Sequence, residues 1–349
     1  MAGVLTTGGG GFIGSSVARA LVALGHKVHV LDKYDVRIPG AKCFRGSILD
    51  QAAILEAMEG CEYVVHMAAF LGVRASTRNA LECLDVNIIG TRNVLECCVK
   101  RKVRRIFFSS SSEVYGEPRD VPIKEGATLS PISEYGVSKV VGEEYCRAYY
   151  QHFGLPFTIA RFFNAYGDKQ RDDFVMSVFT TNAVLGLPLR VNGDGLQTRA
   201  FCYVDDIVDG VIRLLFSPKT RNTVFNIGNP LELITIADLA GKIIKHAGVS
   251  PSLIRHAPLG SQDRAKSREI HNRLPDISKV RRMVGFMPKI SLDEGIRRVI
   301  AYKKAAVAAA PGRRSRAVLK LLSAPSRSIV LRDRTETLVR CAPALLRPV

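Results

Sequence analysis

Thr7-Gly8-Gly9-Gly10-Gly11-Phe12-Ile13-Gly14 is the stretch that decides the fold. It lies between a short β-branched run, Val4-Leu5-Thr6, and a helical pattern with an apolar stripe from Ile13 to Leu24. It satisfies Gly-x-Gly-x-x-Gly at 9, 11 and 14, and Gly-x-x-Gly-x-x-Gly at 8, 11 and 14. Glycine permits a tight turn and lets a pyrophosphate approach the backbone. The helix that follows supplies free N–H groups and the positive end of its dipole. A strand, this loop and a helix in succession read as a dinucleotide-binding unit, with Gly8, Gly11, Phe12, Ile13 and Gly14 as candidate contacts. Asp32 ends the next strand-like run, 18 residues after Gly14. An acid there can bind the adenosine ribose hydroxyls and repel a 2′-phosphate, which points to NAD rather than NADP.

Outward from this loop, strand and helix patterns alternate. Strand-like runs are expected at 28–31, 63–66, 105–109 and 158–161. Helical patterns are expected at 13–24, 54–59, 80–100, 133–152 and 205–216. Apolar strands alternating with helices predict an α/β, Rossmann-type doubly wound parallel sheet covered on both faces. After Asn164 the pattern loosens and Pro and Gly become more frequent. The expected organisation is an NAD-binding domain over 1–165, with 205–225 returning to it, and a smaller discontinuous substrate lobe over 166–305. A basic tail over 306–349 is expected to lie outside the fold, and 305–316 is linker-like in composition.

The chain has 349 residues, 47% hydrophobic and 23% charged, as a globular protein with a large core would. No apolar run is long enough to span a membrane. The N-terminus runs straight into a strand without a signal-peptide pattern, so a cytoplasmic location is expected. The net charge of +18 raises the question of a nucleic-acid partner. Residues 303–349 carry 11 Lys/Arg and 2 Asp/Glu, half of that excess, so no nucleic-acid surface is expected on the body of the protein. Weak contact of the tail with an anionic membrane surface stays open. The eight cysteines form no Cys-x-x-Cys pair and no His cluster accompanies them, so buried thiols and no metal site are expected.

Two further stretches carry chemistry. Tyr135 and Lys139 stand four apart in a helical pattern and so share a face. A free tyrosine titrates near about 10, and nearby positive charge lowers that value. The expectation is that Lys139 holds the Tyr135 phenol partly ionised, ready to take a proton from a sugar hydroxyl. The other stretch, Ser110-Ser111-Ser112-Glu113, follows the strand ending at Ser109. Strand C-termini form the ligand crevice of a doubly wound sheet. Hydroxyls there can hold a reacting oxygen, and Glu113 can act as a general acid or base.

These residues together resemble the extended short-chain dehydrogenase/reductase family, in its nucleotide-sugar epimerase/dehydratase branch. The resemblance covers about residues 3 to 303. Its carriers are the glycine loop, His66-Met67-Ala68-Ala69, Asn87-Ile88-Ile89-Gly90-Thr91, Ser111 to Gly116, Tyr135-x-x-x-Lys139, and Arg161-Phe162-Phe163-Asn164-Ala165-Tyr166-Gly167. Gln197 to Phe201, Tyr203 to Asp206, and Arg273-Leu274-Pro275-Asp276 continue it. The resemblance implies that Ala68, Ala69 and Asn87 line the nicotinamide side, that Phe162 and Ile48 belong to the cofactor site, and that Tyr135 and Lys139 touch the cofactor as well as the sugar. It implies that Asn164, Arg199 and Arg273 bind the nucleotide diphosphate, and that the helices near 80–100 and 134–152 form a homodimer interface. The chain departs from the family in its C-terminal tail, which has no counterpart there, and at two positions. Ser47 stands where an adenine-contacting Asp is common, leaving the backbone at Ile48, and Asp168 replaces the usual proline after Tyr166-Gly167.

The shared chemistry implied is transient oxidation at sugar C4, with Tyr135, Lys139, Ser111, Ser112 and Glu113 as catalytic candidates. Dehydratases of this branch usually carry Asp-Glu where Ser112-Glu113 stands. UDP-glucuronate decarboxylases often carry Thr-Ser-Glu, close to Ser111-Ser112-Glu113, with a proline-containing loop unlike Ala68-Ala69-Phe70-Leu71. A UDP-sugar 4-epimerase is therefore expected, with a UDP-glucuronate decarboxylase or a nucleotide-sugar 4,6-dehydratase as the alternatives. A non-catalytic NAD-binding protein is the remote one.

Overall fold

The alternating runs become strands buried on both faces. In the computed structural model, which describes residues 1–71, 79–258 and 270–309, β1 (Gly3–Thr7) leads into α1 (Phe12–Ala23). There follow β2 (Lys27–Asp32), β3 (Ala41–Arg45), α2 (Gln51–Ala57), β4 (Tyr63–His66), α3 (Ala80–Lys100) and β5 (Arg105–Ser111). A 3-10 turn, Ser112–Tyr115, continues directly from β5; α4 (Glu134–Phe153) and β6 (Phe157–Phe162) come next. The lobe begins with β7 (Ala165–Tyr166), α5 (Val175–Val184), β8 (Leu189–Asn192), β9 (Thr198–Ala200) and β10 (Cys202–Tyr203). Then α6 (Val204–Phe216) and β11 (Thr223–Ile227) return to the main sheet, before β12 (Leu233–Thr235), α7 (Ile236–Ala247), β13 (Ile254–Ala257), β14 (Asn272–Arg273), α8 (Ser278–Val284) and α9 (Leu292–Ala308).

The central sheet has seven strands, all parallel, in the order β11-β6-β5-β4-β1-β2-β3. Strand order reverses at β1, which has β2 on one side and β4 on the other. Crevices form at such a reversal, outside the carboxyl ends of the strands. Alternation along each strand sends neighbours to opposite faces. Val4, Val30 and Phe107 enter one core, while Leu5, Leu31, Ile106 and Phe108 enter the other. The first of these cores runs on through Leu189, Val191, Leu239 and Ile243, so the lobe and one face of the sheet share a single apolar interior.

The expected strands and helices appear within three residues of their predicted bounds, and Tyr63–His66 and Ala80–Lys100 coincide. β3 was not anticipated: it is a partly buried edge strand, Ala-Lys-Cys-Phe-Arg, with little alternation to read. At the other end the expected boundary at 305 falls inside α9, which continues through Ala308. Alanine favours helix there, and Lys303 fixes the last turns by donating to Asp172 Oδ1 at 3.0 Å and Ser177 Oγ at 3.1 Å. The rest of the expected tail, 310–349, lies outside the described residues. Among the described residues no helix is long and apolar enough to cross a membrane, and no group of His, Cys, Asp or Glu could hold a metal ion. Cys61, Cys83, Cys97, Cys98, Cys146 and Cys202 are buried free thiols.

Candidate active site

The glycine loop turns where its sequence requires. Gly8 has φ +67°, a conformation L side chains rarely adopt, and its N–H bonds Leu31 O at 2.8 Å. A Cβ on Gly14 would stand 2.3 Å from Gly8 O, so loop and helix meet backbone to backbone. No side chain caps α1 at Gly11, and its first turn carries no acid. An uncapped helix start behind a glycine turn leaves N–H groups and a positive dipole end for an anion, and so fits a dinucleotide pyrophosphate. Asp32 closes the loop from the next strand: Oδ2 accepts from Gly10 N at 2.9 Å and Oδ1 from Tyr34 N at 3.1 Å. Each oxygen keeps a lone pair for a ribose hydroxyl. Ser47 Oγ is used by the backbone, accepting from Leu49 N, and Ile48 O accepts from Asn93 Nδ2 at 3.1 Å.

At the end of β4, His66 links Thr7 Oγ1 at 2.7 Å to Thr91 Oγ1 at 3.1 Å. Full burial, with the Lys139 charge nearby, pushes its imidazole down to about 3, so it is neutral. Ala68 N donates to Thr7 Oγ1 at 3.3 Å, and Ala68 and Ala69 remain partly exposed. Asn87 is buried. It accepts from Phe70 N at 2.7 Å and donates to Phe70 O at 3.2 Å and to Ser138 Oγ at 3.0 Å. Its observed part is to staple the loop after β4 to the helix that carries Tyr135.

That helix, α4, starts at Ser133, whose Oγ accepts from Gly136 N at 3.1 Å. Lys139 points from it onto β5: Nζ donates to Ser109 O at 2.7 Å, 4.9 Å from the Phe108 ring centre and 5.6 Å from that of Tyr135. Burial lowers the Lys139 ammonium to about 8. Tyr135 differs from expectation. Burial first, and then the negative Glu113, push its phenol well up, with only a hydrogen bond from Ser111 acting the other way. In the protein alone burial and the Glu113 charge hold Tyr135 protonated, and the expected depression by Lys139 does not set the direction of its shift.

Glu113 is tied rather than free. Arg273 Nη2 donates to its Oε1 at 2.5 Å and Ser133 Oγ to its Oε2 at 3.3 Å. Ser112 is buried in the 3-10 turn, and Ser111 Oγ caps that turn through Glu113 N at 3.2 Å. Arg273 and Arg199 face each other in register on the parallel strands β14 and β9, and both are nearly buried. Arg199 Nη1 donates to Thr198 O at 2.8 Å and to His271 O at 3.3 Å, and Arg273 Nε has no hydrogen-bond partner among the described residues. Two buried guanidiniums side by side, one with an unmatched N–H, suit a doubly charged anion. Asn164 sits at φ +37° with its Nδ2 on Ala200 O at 3.1 Å, and Phe162, at the end of β6, stacks on Phe107. Asp168 accepts from Tyr203 Oη at 2.9 Å. Sequence reasoning passed over Glu143, His66 and Thr7. Glu143 lies four residues beyond Lys139, on the same helical face, and that spacing was the available signal.

Known proteins match this arrangement. The model of the NAD dependent epimerase/dehydratase family matches residues 4–228. A UDP-N-acetyl-alpha-D-glucosaminuronate decarboxylase of Bacillus cytotoxicus is 36% identical, over 85% of this chain and 96% of its own. A putative UDP-glucose 4-epimerase of Methanocaldococcus jannaschii is 34% identical, over 86% and 98%. Among solved structures, a UDP-glucose 4-epimerase of Thermotoga maritima with UDP-glucose superposes with a TM-score of 0.80 at 30% identity, covering 87% of this chain and 99% of that one.

The loop geometry makes a prediction. A Cβ on Gly8 would lie 2.6 Å from the Ala68 backbone, at a φ that already disfavours it. Gly8→Ala should weaken NADH binding at least about tenfold, or about 1.4 kcal/mol, by fluorescence titration. Native affinity in a folded Gly8→Ala protein would contradict the assignment of the loop.

Proposed function

This chain belongs to the NAD dependent epimerase/dehydratase family, and on that premise we propose that it is a UDP-sugar 4-epimerase acting through a transient 4-keto sugar. One observation carries the reading: Tyr135 and Ser111 meet beside a buried Lys139, while the neighbouring acid, Glu113, is engaged by Arg273 and Ser133. Epimerisation at C4 needs a proton acceptor, a held oxygen and a reversible hydride transfer. Elimination from C6 needs an acid as well, and Ser112 stands where the family's dehydratases usually place one.

When bound, NAD supplies the acceptor and then the donor of a hydride. The glycine loop, the start of α1 and Asp32 are the groups that would hold it. Tyr135 takes the proton of the sugar 4-hydroxyl and later returns it, and Ser111 holds the 4-oxygen by its hydroxyl. Lys139 places positive charge beneath both. Because the phenol stays protonated in the protein alone, its ionisation accompanies binding, when positive charge enters the site. Arg199 and Arg273 clamp the diphosphate, and Asn164 lies beside them. Arg273 leaving Glu113 for a phosphate would be part of that engagement. The UDP-sugar names of the three proteins compared above support uracil as the base.

A second reading is a UDP-sugar decarboxylase. It is favoured by the Bacillus cytotoxicus relative and by Ser111-Ser112-Glu113. Incubation with UDP-glucose, UDP-N-acetylglucosamine and UDP-glucuronate, read by mass and NMR, separates the two. Unchanged mass with inverted C4 is expected; loss of carbon dioxide would establish the second reading instead. In the same assay Tyr135→Phe should lower turnover at least about 100-fold, the usual scale of a lost general base. Undiminished turnover would refute the mechanism.

We further propose a homodimer through α3 and α4. Leu81 and Ile89 on the first, and Tyr150 and Phe153 on the second, are exposed apolar side chains on adjacent helices. Ile89→Asp/Phe153→Asp should convert a sedimenting dimer to monomer. A native chain that sediments as a monomer at micromolar concentration would contradict this.

A further inference from the structure

Glu143 is fully buried on α4, one turn beyond Lys139, and no step above uses it. Its carboxylate is held from two strands, and Arg147 Nη2 on α4 lies 3.5 Å from Oε2. Arg161 on β6 donates through Nε at 2.8 Å and Nη2 at 2.6 Å, and Ser110 Oγ on β5 donates at 2.6 Å. Ser110 lies between Ser109, whose carbonyl takes the Lys139 ammonium, and Ser111, which bonds Tyr135. Arg161 is anchored in turn: Nη1 donates to Tyr115 Oη at 2.8 Å and Glu125 O at 2.9 Å, and Tyr115 Oη donates to Asn226 Oδ1 at 2.7 Å. The carboxylate thus pins the catalytic helix to the strand segment that carries the site. Apolar residues of like volume often hold such a contact at least as well as a buried ion pair, so the charge itself calls for a reason.

The reason lies in what surrounds Lys139. The groups facing it are Tyr135, Glu143 and Cys146 on α4, Cys83 on α3, His66 on β4, and the Phe108 ring and Ser109 carbonyl on β5. Near neutral pH the phenol is protonated and the imidazole uncharged. Burial pushes both thiols up, Cys83 to about 11, so they are uncharged too. Within this group Glu143 is then the one anion, and its own cations, Arg161 on β6 and Arg147 on α4, stand beside it.

We propose that Glu143 is a positioning residue of the reaction, whose carboxylate, fixed by Arg161 and Ser110, keeps Lys139 charged and in register with Ser109 and Ser111. The inference rests on the reading of Tyr135 and Lys139 as the proton-transfer pair. Its sign follows directly: a nearby anion raises the proton affinity of an ammonium, so removing it makes Lys139 lose its proton at lower pH.

Glu143→Gln removes the charge at constant size. Its pH–rate profile should show the alkaline limb moved down by about one pH unit, tenfold in proton affinity. Glu143→Asp should restore the native limb even where kcat is lower at every pH. A purely structural role would lower kcat throughout and leave the limb in place, and that result would overturn the proposal. Where the single variant does not fold, Glu143→Gln/Arg161→Gln removes the anion and its paired cation together, so its alkaline limb should stay near the native position; a limb moved down by a full unit would show that the carboxylate acts otherwise than by its charge and would overturn the proposal. A separate measurement needs no substrate: competitive acetylation of Lys139 by acetic anhydride against pH, read by peptide mass. A lower titration of Lys139 in Glu143→Gln, with no turnover of any UDP-sugar by the native protein, supports this inference while refuting the proposed reaction. An unmoved titration with native turnover intact refutes this inference alone.

Discussion

A buried ammonium on a strand carbonyl, Lys139 Nζ on Ser109 O at 2.7 Å, is the contact on which the site depends. It requires α4 to lie hard against β5. Gly142 makes that approach possible, since a Cβ there would stand 2.3 Å from the Phe108 ring, and the same ring underlies Lys139. Once the helix is seated, the positions of Tyr135 over Ser111 and of Ser138 under Asn87 follow from helical spacing. Asn87 then ties in the loop after β4, so three strand ends and two helices are fixed around one crevice.

The electrostatics of that crevice, in the protein alone, oppose proton transfer by Tyr135. Burial lowers the proton affinity of Lys139 and raises that of Tyr135, and Glu113 adds to the second effect. The lobe takes part through Arg273, which reaches across to Glu113 while its Nε stays unmatched among the described residues. An anion bound between Arg199 and Arg273 would satisfy that N–H and change the field at Tyr135.

Much of this was legible in the sequence. The glycine loop announced β1 and α1, and the spacing of Tyr135 and Lys139 placed them on one helical face. Strand ends at Asp32 and His66 fell where the apolar runs stop, while β5 runs two residues past the expected end at Ser109, to Ser111. Other features needed three dimensions. The phenol's direction of shift depends on burial and on Glu113, whose partner Arg273 is 160 residues away. Asn87 carries the right residue type for a cofactor contact, and only the fold shows that it also bonds Phe70 and Ser138. The edge strand β3 lacks the alternation that marks a strand, and the Ala-rich start of the expected tail extends a helix that the buried Lys303 anchors.

The central claim is that this crevice carries out reversible oxidation at sugar C4, with Tyr135 moving the hydroxyl proton. The most direct measurement is turnover of UDP-glucose deuterated at C4 in ordinary water, with NMR of both epimers. The account predicts interconversion with deuterium retained at C4, because the same hydride leaves and returns. Interconversion with loss of deuterium to solvent, or inversion at a carbon other than C4, would contradict it.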